Sequence, residues 1–333
     1  MNKLLKSLPE DARKKLKKKK QPSWTAPMLA TLTDERFSDP DWIFERKLDG
    51  ERVLVFRQAK RVRLLSRNRK LLNNTYPELV DAYRNQPDGS FIVDGEVVAF
   101  QGRITSFSRL QGRMKLTDPE EARKSRIAIY HYLFDLLFLD GYDITQLPLR
   151  HRKMSLRKAL KFHGPLRFSA HRSGKGENFY KKACKAGLEG VIAKNADSEY
   201  VHSRSRDWLK FKCVNEQEVV IGGYTDPKGS RVGFGALLVG YYRRGKLKYA
   251  GMVGTGYDNK LLRDLRKKLR KIEKDDPPFS KDSLPKKNVH WVKPKLVGQV
   301  GFTEWTGDGK LRHPRFNGLR CDKKPKDVVR EKQ

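Results

Sequence analysis

Apolar residues recur in two rhythms along this chain. Val53 and Val55, then Val62 and Leu64, alternate with their neighbours, so residues 52–56 and 61–65 read as strands joined by a turn at Gln58-Ala59-Lys60. Residues 90–100 are β-rich on both sides of Asp94-Gly95-Glu96, and Asp-Gly is a strong hairpin signal. An apolar run over 126–137 predicts a buried strand. Helical segments are predicted at 76–83, opened by Pro77, at 150–160, with Met154, Leu156 and Leu160 as the apolar positions, and at 176–187, stopped by Gly187. Residues 106–114 read as a short helix or a loop. Strands follow at 188–194 and 208–212. In the second of these Lys210 and Lys212 fall on one face, which reads either as an edge strand guarded by lysine or as a pair holding something anionic between them.

From Glu216 the texture changes. Short strands at 218–222, 235–242, 246–253 and 297–305, separated by glycine-rich turns, predict a small antiparallel barrel or sandwich. One helix interrupts it, with Leu261, Leu262, Leu265, Leu269 and Ile272 on one face and Lys/Arg on the other. Packing on the barrel is favoured over a membrane-surface role. Residues 275–288 form a Pro- and Lys-rich loop. Residues 1–21, ending in Lys17-Lys18-Lys19-Lys20, read as a flexible basic arm, and 326–333 as a charged tail.

Charge narrows the class. Among 333 residues, 73 Lys and Arg stand against 39 Asp and Glu, a net +34. The arm carries +7 of this, so the body is basic as well. A polyanionic partner is implied, nucleic acid first, bound with steep salt dependence. The most apolar run, 132–139, is short and broken by Asp135, so no transmembrane span or signal peptide is expected. Cys184, Cys213 and Cys321 form no Cys-x-x-Cys pair, which argues against a disulfide framework or zinc site and for a reducing, cytoplasmic setting.

Several nucleotide and metal chemistries are excluded by motif. There is no Gly-x-x-x-x-Gly-Lys-[Ser/Thr] loop and no His-Glu-x-x-His, and Gly251 to Gly256 lack a βαβ context. What remains is a set of lysines (Lys47, Lys194, Lys210, Lys212) and acids (Asp49, Glu96, Glu189) at strand ends. A nucleophilic lysine must shed its proton, and at a reference pKa of ~10.4 only roughly one in 2,500 is neutral at pH 7. Neighbouring cations favour the free amine and neutralise a phosphate under attack. A carboxylate can hold Mg²⁺, which prefers oxygen ligands and substrate phosphates. The inventory suits a lysine attacking a phosphoryl group.

Six islands in order resemble the motif set of the covalent nucleotidyltransferases: Lys47-Leu48-Asp49-Gly50-Glu51-Arg52, Ser66-Arg67-Asn68, Asp94-Gly95-Glu96, Phe134-Asp135-Leu136-Leu137, Glu189-Gly190-Val191-Ile192-Ala193-Lys194 and Trp208-Leu209-Lys210-Phe211-Lys212. Within that superfamily the chain is most similar to ATP-dependent DNA ligases of the bacterial end-joining type. Pro27-Met28-Leu29-Ala30, the stretch Gln217 to Gly223, and Glu304-Trp305-Thr306 leading to Leu311-Arg312-His313-Pro314 carry that narrower likeness. Arg46 departs from the proline usual before the family lysine.

The resemblance implies an α+β fold: a nucleotidyltransferase domain over 22–214 with antiparallel sheets, then an OB barrel over 215–325. It implies ATP and Mg²⁺ or Mn²⁺ as cofactors. Lys47 would form a lysyl-AMP. Arg52, Glu96 and Phe134 would contact the nucleotide, Glu96 at the ribose and Phe134 on adenine, with Glu45 and Lys194 completing that site. Lys210 and Lys212 would hold the α-phosphate, Glu189 the metal, and Arg67 the 5′-phosphate of the nick. Arg320, Asp322 and Lys323 would orient pyrophosphate, and Asp49 would assist metal placement or the later steps. The implied partners are nicked or broken double-stranded DNA, with a Ku-like end-binding protein and a repair polymerase beside it, no membrane, and a monomeric state at the nucleoid. RNA ligases and capping guanylyltransferases share Lys-x-Asp-Gly and form the alternative. A basic OB-type binding protein with a dead active site is the non-enzymatic one.

Overall fold

The computed structural model describes residues 2–213, 215–280, 284–285 and 288–331. The chain divides after Cys213 into two units.

In the first unit the alternating runs fold as their pattern predicts. Glu51–Gln58 and Arg61–Ser66 pair antiparallel, from Val53 opposite Ser66 to Gln58 opposite Arg61, with Ala59 at φ 50° in the turn. They join a sheet ordered Lys17–Lys18, Tyr142–Asp143, Ile129–Leu139, Phe91–Gln101, Glu51–Gln58, Arg61–Ser66. A second sheet runs His171–Ser173, Trp42–Lys47, Gly190–Asn195, Arg204–Lys212, Leu29–Leu32. Most pairings are antiparallel; Leu166–Phe168 and Leu29–Leu32 pair parallel with their neighbours. Arg204–Lys212 is thus an interior strand, not an edge.

The two sheets face each other. Leu54, Phe56, Ile92, Phe134 and Leu137 of the first pack with Trp208 of the second and with Met28 and Tyr200 from the segments leading into its strands. The far side of the first sheet is covered by helices Pro77–Arg84, Phe107–Met114 and Leu149–Ala159 over one large core. The far side of the second sheet, Phe44, Val191, Ala193 and Phe211, is covered by helix Gly176–Lys185.

Three expectations are corrected here. Asp94-Gly95 makes no hairpin, because Phe91–Gln101 is one continuous 11-residue strand. Glycine is required at 95 for close approach: a Cβ would stand 2.5 Å from Nε2 of His131 on the neighbouring strand. Residues 2–21 are no free arm, and residue 1 lies outside the described residues. Lys3–Lys6 and Glu10–Lys14 are short helices, Lys17–Lys18 pairs with Tyr142–Asp143, and Leu5, Leu8 and Ala12 are buried in the main core. Their three- and four-residue spacing gives an apolar stripe among the lysines. Finally, Cys184 and Cys213 form a disulfide, with Cα atoms 5.1 Å apart. The helix ending at Lys185 lies over the end of Arg204–Lys212, where the Tyr180 hydroxyl donates to the Lys212 carbonyl at 3.0 Å. The fold therefore joins cysteines 29 residues apart in sequence.

His131 gives this core a pH signature. It is fully buried, its Nδ1 is 2.8 Å from the Tyr83 hydroxyl, and burial pushes its pKa down to about 3. In the unfolded chain the imidazole takes up its proton near ~6.5. Between these values the unfolded state binds more protons, so this contribution to stability is whole above ~6.5 and is lost as pH falls towards 3. Each pKa unit is worth about 1.4 kcal/mol. His131→Gln is therefore expected to flatten the acid limb of urea-unfolding stability between about pH 6 and 4 relative to wild type. An unchanged slope would show that other groups govern it.

The second unit is the barrel. Asn215–Thr225, Leu237–Arg243, Lys246–Val253 and Val289–Phe302 are its long antiparallel strands. Arg315–Leu319 pairs with Val289–Phe302, and a bridge from Thr255 to Arg315 brings its two ends together. Helix Asn259–Arg270, capped by the Asp258 side chain, buries Leu262, Leu265 and Leu269 in the barrel core. Each such burial stabilises by about 1.5–3 kcal/mol, which favours the packed helix over a membrane-surface one. Within the 275–288 loop, residues 281–283 and 286–287 lie outside the described residues, and Phe279 is buried. The tail is partly packed: Val328 is buried and accepts from the Tyr242 amide at 2.7 Å, while 332–333 lie outside the described residues. Among the described residues no helix is long and apolar enough to cross a membrane.

Candidate active site

Strand register assembles the site. Lys47, Gly190 and Lys212 lie side by side across three strands. The next row is Glu45, Ile192 and Lys210, and the third is Ile43, Lys194 and Trp208. Side chains two apart on a strand share a face, so these rows stack at ~6.8 Å intervals on the side turned towards the first sheet. The intervening residues Phe44, Ala193 and Phe211 pack on the opposite side. Gly190 has φ 156°, and a Cβ there would strike the Phe211 carbonyl, so only glycine fits between the two lysines.

Lys47 ends its strand half-buried, and its Nζ contacts Oε1 of Glu189. Oε2 of Glu189 is buried and has no hydrogen-bond partner. A cavity of about 230 Å³ opens beside Lys47, lined among others by Leu48, Thr105, Tyr132, Phe168 and Leu188. Asp49 turns away to the helix that follows: its Oδ2 accepts from the Phe107 amide at 3.2 Å.

A second cluster lies deeper. Glu45, 2 % exposed, accepts from Lys153 Nζ at 2.6 Å, Lys194 Nζ at 3.1 Å and Ser169 Oγ at 3.0 Å. Burial alone would raise its pKa, but the two lysines outweigh burial and hold the carboxyl below its ordinary range. Burial lowers Lys194 to about 8, opposed by Glu45 and aided by Lys153. The Lys194 ammonium also lies 4.2 Å from the Phe134 ring centre and 4.0 Å from that of Trp208. Desolvated cation–π contacts of this kind are worth about 2 kcal/mol.

Arg52 is gripped by Asp94, with Nε to Oδ1 and Nη2 to Oδ2 both at 2.5 Å, and donates to the Met28 carbonyl at 3.1 Å. Burial would weaken the guanidinium, yet Asp94 more than offsets it and keeps Arg52 firmly charged. Its guanidinium lies 4.6 Å from the Phe134 ring centre. The Tyr200 hydroxyl donates to the same Asp94 at 2.6 Å. Glu96 stands opposite Arg52 and Tyr132 in register.

The fold thus brings Lys47, Glu45, Arg52, Glu96, Phe134, Glu189, Lys194, Lys210 and Lys212 to facing surfaces of the two sheets. Arg67 stands apart, half-buried in the turn after Arg61–Ser66. Arg320, Asp322 and Lys323 lie in the second unit. There Arg320 chelates Asp322 at 2.9 and 2.8 Å, and Lys323 pairs with Glu218 at 2.8 Å. Burial would raise the Asp322 carboxyl, but Arg320 and Lys323 hold it low. Asp94, Lys153, Ser169, Tyr200 and Trp208 are additions from the fold. Asp94 and Trp208 had a signal, their places in the Asp94-Gly95-Glu96 and Trp208-to-Lys212 islands; the others had none.

A family model described as ATP dependent DNA ligase domain matches residues 27–212, and one described as ATP dependent DNA ligase C terminal region matches 230–323. The chain belongs to the ATP-dependent DNA ligases. As in that family, an adenylation domain is followed by an OB-fold barrel. It is 37% identical over 320 residues to the multifunctional non-homologous end joining protein LigD of Pseudomonas aeruginosa, covering 93% of this chain and 37% of that protein. To the multifunctional non-homologous end joining DNA repair protein LigD of Mycobacterium tuberculosis H37Rv it is 38% identical, covering 92% and 40%. The ligase chain therefore spans about two fifths of the length of these curated relatives. Among solved structures, mycobacterial DNA ligase D complexed with ATP and MES matches with a TM-score of 0.66 at 35% identity, covering 92% of this chain and 98% of that one.

Proposed function

We propose that this ligase seals 5′-phosphate/3′-hydroxyl breaks in duplex DNA during end joining, through an adenylate carried on Lys47. The observation that carries the reading is the placement of Lys47: beside Lys212 across Gly190, in contact with Glu189, in the wall of a cavity of about 230 Å³.

In the first step the Lys47 amine attacks the α-phosphorus of ATP. A nitrogen–phosphorus bond forms, the α–β phosphoanhydride bond breaks, and pyrophosphate departs with its electron pair. Glu189 is an acceptor in reach of the Lys47 proton, and Lys210 and Lys212 offset charge on the α-phosphate. A 5′-phosphate oxygen then attacks the adenylate phosphorus and frees Lys47, with Arg67 meeting that phosphate. Lastly the 3′-hydroxyl attacks the 5′-phosphorus and AMP leaves.

The unpartnered, buried Oε2 of Glu189 fits a hard cation. No group of three or more ligating side chains occurs among the described residues, so Mg²⁺ or Mn²⁺ would take Glu189 together with phosphate oxygens and water. When bound, it would neutralise phosphate charge. Glu96 would meet the ribose, Arg52 and Phe134 the base and its surroundings, and Arg320, Asp322 and Lys323 the pyrophosphate.

The Glu45–Lys194 pair sets the base. Adenine offers a donor at N6 beside an acceptor at N1, which a carboxylate and an ammonium complement; guanine in the same pose reverses both. Names of the relatives point to non-homologous end joining, and a Ku-like end-binding protein and a repair polymerase are the partners this reading carries. The test compares a nicked DNA duplex with a nicked RNA duplex, and ATP with GTP, in one sealing assay. DNA sealing with ATP supports the reading; sealing confined to RNA, or GTP charging alone, overturns it.

A further inference from the structure

Lys153 belongs to none of the ligase motifs, yet it is among the most deeply buried charges in the first unit. It sits in helix Leu149–Ala159, within the basic run Arg150-His151-Arg152-Lys153. Its side chain is 2 % exposed. Its Nζ donates to Glu45 Oε1 at 2.6 Å and to the Ser169 carbonyl at 3.1 Å, and lies 4.8 Å from the Phe168 ring centre. Burying an ammonium is costly, and a lone glutamate served by Lys194 and Ser169 would already be satisfied. The second lysine therefore calls for an explanation.

The two oxygens of Glu45 are divided between different partners. Oε1 is held by Lys153; Oε2 meets Lys194 and Ser169. Lys194 alone of the two lysines also reaches the Phe134 and Trp208 rings. Lys153 approaches from the helix side and has the Phe168 ring instead. The division leaves one anchored lysine behind the carboxylate and one lysine in front of it.

We propose that Lys153 is a positioning residue for base selection: it fixes Glu45 as an ionised acceptor of set orientation and leaves Lys194 as the adjoining donor, so that the site accepts a 6-aminopurine and rejects a 6-oxopurine. Without Lys153, Lys194 becomes the sole cation on Glu45 and is drawn from the base to the carboxylate. A site built to hydrogen-bond one pattern rejects the reversed pattern by leaving its own buried groups unpaired. Loosening the carboxylate removes that rejection.

The inference rests on the reading that places adenine against Glu45 and Lys194. The experiment measures self-adenylation and self-inosinylation of the full chain with ATP and inosine triphosphate, taking kcat and KM for each. Lys153→Met is expected to lower the ATP-to-ITP ratio of kcat/KM at least about tenfold, mainly through a higher KM for ATP. Lys153→Arg, which restores the cation, is expected to recover part of the ratio. If Lys153→Met fails to fold, Lys153→Gln carries the same reading. An unchanged ratio, or both nucleotides falling in parallel, would assign Lys153 a purely structural role and overturn the proposal. Glu45→Gln separates the two levels. If it collapses the ratio while Lys153→Met does not, the Lys153 inference alone fails. If it leaves the ratio intact, the base lies elsewhere, and the reading beneath the inference fails with it.

Discussion

A Lys47→Ala chain is expected to take up no adenylate and to lose DNA sealing from ATP by more than about a thousandfold. Alanine removes the only atom in the proposed first step that bonds to phosphorus, so no neighbouring group can compensate in part. The fold is expected to survive. Lys47 is half-buried at the end of its strand, and its Nζ contacts Glu189. Circular dichroism and Tm within a few degrees of wild type, together with absent labelling from α-labelled ATP, are the expected pair of results. Lys47→Arg is expected to fail equally, because a guanidinium stays protonated and is no nucleophile. Residual labelling of either variant at more than a few per cent would show that another residue accepts the nucleotide.

The second large effect falls on a residue that touches no reacting atom. Asp94→Asn keeps shape but removes the charge that neutralises Arg52 in a buried setting. Asp94 is 0 % exposed and accepts from Arg52 and Tyr200. Removing one partner of a buried ion pair costs about 3–5 kcal/mol, since the other charge remains uncompensated. For a domain of this size that is a Tm lower by on the order of 10 °C. Adenylation is expected to fall as well, because Asp94 holds the guanidinium that lies against Phe134. A double-mutant cycle with Arg52→Gln checks the cause: the pair removed together is expected to cost less than the sum of the single changes. Additive costs, or a Tm for Asp94→Asn within a degree or two of wild type, would contradict it.

Strand ends were the legible part of this site. Lys47, Glu189, Lys194, Lys210 and Lys212 stand where apolar alternation stops or is interrupted by charge, and pleating alone puts Lys210 and Lys212 on one face. The strands and helices around them follow from the same periodicity. What local pattern misreads is charge that serves a distant partner. Arg150-His151-Arg152-Lys153 has the composition of a solvated helix face, yet Arg152 and Lys153 are buried against Asp135 and Glu45. Those partners are 17 and 108 residues away. The Asp94-Gly95 turn signal failed for a similar reason: the glycine makes room for His131 from another strand. The first 21 residues misled through their lysines, which outnumber the Leu5, Leu8 and Ala12 stripe that docks them. The cysteine pair depends on a helix crossing the end of a strand, and spacing along the chain carries no trace of it.

One measurement bears on the central claim directly. The chain is incubated with ATP and a divalent cation, digested, and its peptides are read by mass spectrometry under conditions that preserve a phosphoramidate. The account predicts a single adenylate on the peptide containing Lys47, lost on addition of nicked DNA. An adenylate on any other residue, or none at all in a protein that still seals DNA with ATP, would contradict it.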